Sequence, residues 1–493
     1  MLQHNAHAIP QLCRPSRSPI MSQDARTASD IEEPPKSLRG VIRHLGPGLI
    51  VASTLIGSGE LIATTKTGAQ AGISLLWLII FGCLIKVFCQ VELGRYVISQ
   101  GESTLAALNH VPGPRARVSW ILWLWLGVSL AGFTVQAGIL GGVSQALAMT
   151  FPLTGDYLAV IESSEESTNA ATYDNRIWAI IVAVSTALIL YRGRYQLIQT
   201  LAIVLVCAFT VLTIGNAVAL QTTEQWHIPL SEFVRGMSFT LPESTGEKTV
   251  WITALGAFGI IGVGMGDLVI YPYWCLEKGY ARFVGPCSDD ESWARRARGW
   301  IRVMYFDAFG SMVIYTLVTV AFFVMGVAVL HREGLDPDGM RMISTLAAAY
   351  VPVFGTLAKW LFLSGAIAVL YSTFLVAAAS FARVYTDALK VFGVMAADNQ
   401  RHHERAVSLF SVVLPMISLS VILTGANPVN LVLLGGVLAG AFLPAIGFSI
   451  IYLRFTKTDR RLRPKPLWDV LLILSCVATL TTGAFGIYSR FFS

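Results

Sequence analysis

The sequence predicts an all-α membrane protein of about eleven transmembrane helices, arranged as a five-plus-five inverted repeat in which helices 1 and 6 are broken. Three observations lead there. The chain of 493 residues is 54% hydrophobic against 13% charged, with mean hydropathy +0.61, which leaves too little polar surface to cover soluble domains. Apolar runs recur from Leu45 to Phe492, many reaching the ~20 residues that cross ~30 Å of hydrocarbon as helix. The same glycine-rich motif occurs twice, five spans apart. The runs are continuously apolar rather than alternating, so a closed barrel is excluded.

Apolar windows and their polar punctuation place spans near 46–70, 73–98, 118–149, 177–191, 195–220, 250–279, 302–330, 352–386, 406–424, 428–453 and 467–489. Residues 1–40, rich in Pro, Ser, Arg and Asp, are expected to form a disordered cytoplasmic tail, with the start at either Met1 or Met21. Residues 41–225 then form the first five-helix repeat, 226–455 the second and 456–493 an additional eleventh helix. With the N-terminus cytoplasmic, most Lys and Arg fall on the inner side, among them Arg295, Arg296, Arg298 and Arg302, and the run Arg454 to Lys465. Acidic residues fall on the other, with Asp156, Glu162, Glu165, Glu166 and Asp174 in one loop and Glu224, Glu232, Glu243 and Glu247 in another. An odd number of spans puts the C-terminus outside. The net charge of +6 is accounted for by this asymmetry, and no nucleic-acid partner is implied. The seven cysteines are scattered; Cys83, Cys89, Cys207 and Cys476 sit in apolar runs as packing residues, and neither a disulfide framework nor a thiolate metal cluster is suggested.

The repeat carries the chemistry. Ile56-Gly57-Ser58-Gly59-Glu60-Leu61-Ile62 in the first span matches Val263-Gly264-Met265-Gly266-Asp267-Leu268-Val269 in the sixth. Five intervening crossings make the two copies enter from opposite faces, as an inverted repeat demands. Paired glycines weaken a helix and free backbone groups near mid-membrane, which is tolerable only beside a polar cavity. An acid at each break marks an ion or proton pathway, so Glu60 and Asp267 are the leading site residues. Gly57, Ser58, Gly59, Gly264 and Met265 surround them, and Ser53, Thr54 and Tyr271, one turn after Asp267, complete the candidate substrate site. Close helix packing through Gly-X-Gly and capping of a half-helix by Asp267 are the competing readings, and capping is compatible with binding.

Other polar groups in the spans are Lys66, Lys86, Glu92, Arg95, Asp307 and Lys359. Glu92 and Arg95, one turn apart, either pair with each other or join a proton pathway with Asp307. Lys66 is a snorkelling residue or a fixed counter-charge. No histidine lies inside a span, so a histidine relay is not expected.

The stretch Gly46-Pro47-Gly48-Leu49-Ile50-Val51-Ala52, continuing to Gly68-Ala69, resembles the first helix of the Nramp family of divalent-metal transporters. Gln100-Gly101-Glu102-Ser103-Thr104-Leu105-Ala106 is similar to the family's Thr-Gly-Lys-Asp-Leu-Ala segment, and Asp307 falls where the family often has an aspartate. The resemblance implies a LeuT-type fold and proton-linked movement of ions such as Mn²⁺ or Fe²⁺. It also exposes departures. The first-helix Asp-Pro-Gly-Asn of the family is Gly57-Ser58-Gly59-Glu60 here, its sixth-helix Met-Pro-His is Met265-Gly266-Asp267, and its tenth-helix glutamine aligns near Gly436.

The expectation is therefore a divergent Nramp-related secondary transporter in a bacterial inner membrane. Glu60, Asp267 and Met265 are its expected ligands for a divalent cation of the Mn²⁺ or Mg²⁺ class, and spans 1, 2, 6 and 7 rock to alternate access. The alternative is a LeuT-type symporter of a small organic solute, an amino acid or amine. The expected partners are the bilayer, the cation or solute, and protons, with no cofactor and no obligate protein partner. A receptor that has lost transport would need a sizeable output domain, and the tail and loops are short. No nucleotide motif, nucleophile triad or metal-hydrolase spacing points to an enzyme.

Overall fold

Helix α1 (Pro47–Leu55) opens on a proline, whose missing N–H costs nothing at the start of a helix. A computed structural model of the chain describes residues 31–162, 172–191, 195–239, 248–396 and 399–491. The interruption expected at Gly57–Glu60 takes the form of nine residues of π-helix, Ile56–Thr64, running into α2 (Thr65–Ala71), rather than an unwound gap. Hydroxyls secure the widened turns: Thr64 Oγ1 donates to the Gly59 carbonyl at 2.9 Å, and Thr373 Oγ1, from another helix, to that of Ser53 at 2.8 Å. Gly72, at φ +58°, then ends the helix, and α3 (Leu76–Gln100) follows. As one helix, the 42 residues from Gly59 to Gln100 would be about 63 Å long. That is about twice the hydrocarbon thickness, so Gly72 separates two crossings.

Helices α4 (Trp120–Thr150), α5 (Tyr173–Tyr191) and α6 (Tyr195–Leu220) complete the first half of the repeat. The second half opens with α7 (Lys248–Ile260) and α8 (Met265–Lys278), two pieces of one span. It continues through α9 (Glu291–Met325), α10 (Ala358–Val391), α11 (Gln400–Leu423) and α12 (Pro428–Thr456). Helix α13 (Pro466–Phe491) packs on α12 and α3. Strand pairing among the described residues is a two-residue ladder, Arg115–Ala116 against Val118–Ser119.

Among the described residues, nine helical segments are long and apolar enough to cross a bilayer, against about eleven expected. Two differences have plain origins. The Gly72 turn lies inside a single 42-residue segment, and in α6, where many side chains before Cys207 lie outside the described residues, the apolar stretch is Cys207–Leu220. The tail expected to be disordered to residue 40 is packed from residue 31. Glu32 N donates to the Phe283 carbonyl at 3.1 Å, and Trp300 Nε1 donates to the Glu32 carbonyl at 2.9 Å. Residues 1–30 of that tail lie outside the described residues, as do Glu165, Glu166, Glu243 and Glu247 of the acidic loops.

The break between α7 and α8 is sharp because Gly262 adopts φ +57°. A Cβ there would stand 2.8 Å from the Cα of Cys83 on α3, so backbone conformation and close approach both require glycine. Gly262→Ala is expected to destabilise the protein by about 2–4 kcal/mol, read as a lower thermal midpoint in detergent.

Candidate functional site

Asp267 sits in the first turn of α8, where its carboxylate meets the positive end of that half-helix. The residue before the helix, Gly264, is extended and supplies no side-chain cap. Thr54 Oγ1 lies 2.7 Å from both Asp267 Oδ1 and the Val51 carbonyl, and its single proton serves one acceptor at a time. Asp267 is half-buried and lines a cavity of about 100 Å³ between α1, α4, α7, α8, α10 and α12. The polar lining also includes Thr54, Ser129, Gln136 and Thr373, with Met265 adding a thioether and Trp125 and Phe381 aromatic walls. Asp267 is the ionisable group among these lining residues.

The sequence-predicted residues separate into two groups. Thr54, Gly264, Met265 and Asp267 reach the cavity. Glu60 does not: it is fully buried, with Oε1 accepting from Thr319 Oγ1 of α9 at 3.0 Å and Oε2 making no hydrogen bond. The two carboxylates expected to face each other across a bound ion are therefore not both cavity groups. Gly57 gives room to α10, since a Cβ would come within 2.1 Å of Thr373 Oγ1, and Gly59 lies against the carbonyl of Ile260. Ser53 donates to the Ile50 carbonyl of its own helix at 2.5 Å. The side chain of Ser58 lies outside the described residues. Tyr271 is buried and donates to Asp307 Oδ2 at 3.1 Å.

The groups expected in a proton pathway are engaged elsewhere. Asp307 caps α1 from α9, accepting from the backbone N–H of Gly46 at 2.8 Å and of Gly48 at 2.5 Å. Arg95 pairs with Glu92 at 3.0 Å and donates to the Leu462 carbonyl at 2.8 Å, while Trp468 Nε1 donates to Glu92 Oε2 at 3.0 Å. None of the three lines the cavity. Lys66 is a fixed counter-charge, 2.8 Å from Asp336 and 3.1 Å from the Pro337 carbonyl.

Residues to which the sequence assigns no role complete the site. Ser129 and Gln136 lie seven residues apart, two turns along one face of α4, a spacing visible in the sequence. Gln136 Nε2 is buried and unpartnered. Lys86, in mid-α3, donates to the carbonyls of Phe258 and Ile261 at the end of α7. Its charge interacts with that of Asp267 across the break. Among the described residues, no three or more His, Cys, Asp or Glu side chains are grouped to hold a metal. The cavity thus offers a cation one carboxylate, hydroxyl and amide oxygens, and one sulfur.

The family model described as natural resistance-associated macrophage protein-like matches residues 48–489. Natural resistance-associated macrophage protein 1 of Canis lupus familiaris is 26% identical over 162 residues, which cover 32% of this chain and 29% of that protein. The aligned part therefore spans less than a third of that relative's length. A solved manganese transporter of Eremococcus coleocola, in a histidine-to-alanine variant, superposes with TM-score 0.65 at 15% identity, covering 96% of this chain and 92% of that one. MhsT in complex with L-phenylalanine superposes with TM-score 0.57 at 15% identity, covering 93% of this chain and all of that one (100%). At such identities the likeness establishes the fold, a LeuT-type inverted repeat. With the family model running from the first residues of α1 to the last turns of α13, the chain belongs to the natural resistance-associated macrophage protein-like (Nramp) family.

Proposed function

We propose that the protein is a secondary active transporter that carries a divalent cation of the Mn²⁺ or Mg²⁺ class by alternating access, coupled to protons. The observation that carries this reading is Asp267, a half-buried carboxylate at the break of a membrane span, open to a cavity between the two halves of the repeat. Asp267, Thr54 and Thr373 supply oxygen donors suited to hard cations, and Met265 adds a softer one. Family membership and the likeness to a manganese transporter support the metal. The basic segments around Arg295 and Arg460 support a cytoplasmic N-terminus in an inner membrane, with the C-terminus outside. Mn²⁺ uptake into proteoliposomes, with and without an imposed pH gradient, tests the proposal. Uptake indistinguishable from protein-free vesicles in both conditions would remove it.

The aromatic walls favour a second reading. Trp125 and Phe381 face a cavity with a single carboxylate, an arrangement that suits an organic ammonium group as well as a bare ion. Thermal stabilisation by small amines or amino acids, with none from MnCl₂ or MgCl₂, would select it.

A further inference from the structure

Lys86 is fully buried in the middle of α3. Its ammonium donates to the carbonyl of Phe258 and, at 2.9 Å, to that of Ile261, and it stands 4.5 Å over the Phe258 ring. Those carbonyls belong to the end of α7, where the chain breaks and no further helical turn supplies N–H groups. A lysine in a membrane interior is costly, and here its hydrogen bonds go to backbone oxygen. The carbonyl end of a half-helix carries the negative end of the dipole, and in broken-helix transporters it is a place where a coupling sodium ion binds. Across the same break, Glu60 Oε2 is buried with no hydrogen bond, and Gly59 brings the π-helical segment against Ile260.

We propose that Lys86 is a built-in cation that stands where a free sodium ion would otherwise bind at the end of α7. Removing its ammonium vacates a site selective for Na⁺. Glu60 and Asp267 both interact electrostatically with Lys86, so its loss leaves the buried Glu60 and the half-buried Asp267 without that counter-charge. A small monovalent cation restores that balance. The wild-type protein accordingly has no sodium requirement, a corollary that rests on the transporter reading; the binding claim stands without it.

The test uses the purified full chain in detergent, as wild type and Lys86→Ala, melted in NaCl, KCl or choline chloride at equal ionic strength and pH. The wild type is expected to melt at one temperature in all three salts. Lys86→Ala is expected to gain a saturable stabilisation of several degrees in NaCl alone. Lys86→Met, which keeps the stem volume, is the second variant should alanine fail to fold, and carries the same expectation. A folded variant indifferent to Na⁺ overturns the proposal, as does sodium-specific stabilisation of the wild type. If neither variant folds, the wild-type melts decide by that same criterion, sodium indifference supporting the occupied site. Because no substrate is present, failure of Mn²⁺ uptake does not bear on this result.

Discussion

Asp267→Asn is expected to reduce Mn²⁺ uptake into proteoliposomes by about 100-fold or more, while the purified protein still elutes as a folded species. The swap keeps the shape of the side chain and an oxygen that Thr54 can donate to, so the hydrogen bond of 2.7 Å has a substitute. It removes the charge. The other polar groups lining the cavity, Thr54, Ser129, Gln136 and Thr373, are neutral, and losing the charged member of a desolvated ion contact costs about 2–5 kcal/mol. Glu60→Gln is the matched comparison. It also removes a buried acid, but one held by Thr319 outside the cavity, and should lower uptake by about tenfold at most, a cost of roughly 1.4 kcal/mol. If Glu60→Gln abolished uptake and Asp267→Asn left it intact, the ion would have to bind on the other side of the break.

The different fates of Glu60 and Asp267 show where sequence reasoning reaches its limit. Both lie at the same offset in the repeated motif, and the motif correctly marks the two interrupted spans. What it does not carry is how each interruption is built. At Gly262 the chain breaks with a left-handed residue, and Asp267 lies in the first turn of a new helix. At Gly57 the chain keeps its hydrogen bonds and widens into π-turns. These close i→i+5 instead of i→i+4 bonds, so residues advance by less than the roughly 100° of an α-helix. Every side chain after Leu55 is thereby rotated from the face that helical periodicity assigns it, and Glu60 turns toward α9.

Long-range partners were equally out of reach. Lys86 reads as an isolated charge in an apolar run, because its carbonyl partners lie 172 and 175 residues away. Asp307 reads as a pathway acid, yet it caps a helix start 261 residues earlier. The fold was legible because it follows from composition, hydropathy and the repeat, all properties of contiguous sequence. The cavity was only partly legible because α4 and α10, which supply Gln136, Thr373 and the aromatic walls, contain no break to attract notice.

Among the described glycines, Gly259→Ala should be the most disruptive added methyl, lowering stability by about 3 kcal/mol or more. Glycine to alanine inside a helix ordinarily stabilises, by roughly 0.5–1 kcal/mol, so the expected sign is the reverse of the propensity effect. At Gly259 a Cβ would stand 2.0 Å from the carbonyl oxygen of Gly436, and at Gly436 one would stand 2.4 Å from that of Gly256. Both obstacles are backbone, which cannot rotate aside as a side chain does. Helices α7 and α12 would have to separate, moving Ile260 and Gly435 in the cavity wall and the Phe258 carbonyl that Lys86 holds. Gly310→Ala in α9 is the control: nothing lies within 4 Å of its Cβ position, and its thermal midpoint should stay level or rise. The same contact accounts for glycine at position 436. No side chain fits between α7 and α12 at Gly436. Melting curves of Gly259→Ala, Gly310→Ala and wild type in one detergent decide the matter, and equal destabilisation of both variants would mean that α7 and α12 are not packed backbone to backbone.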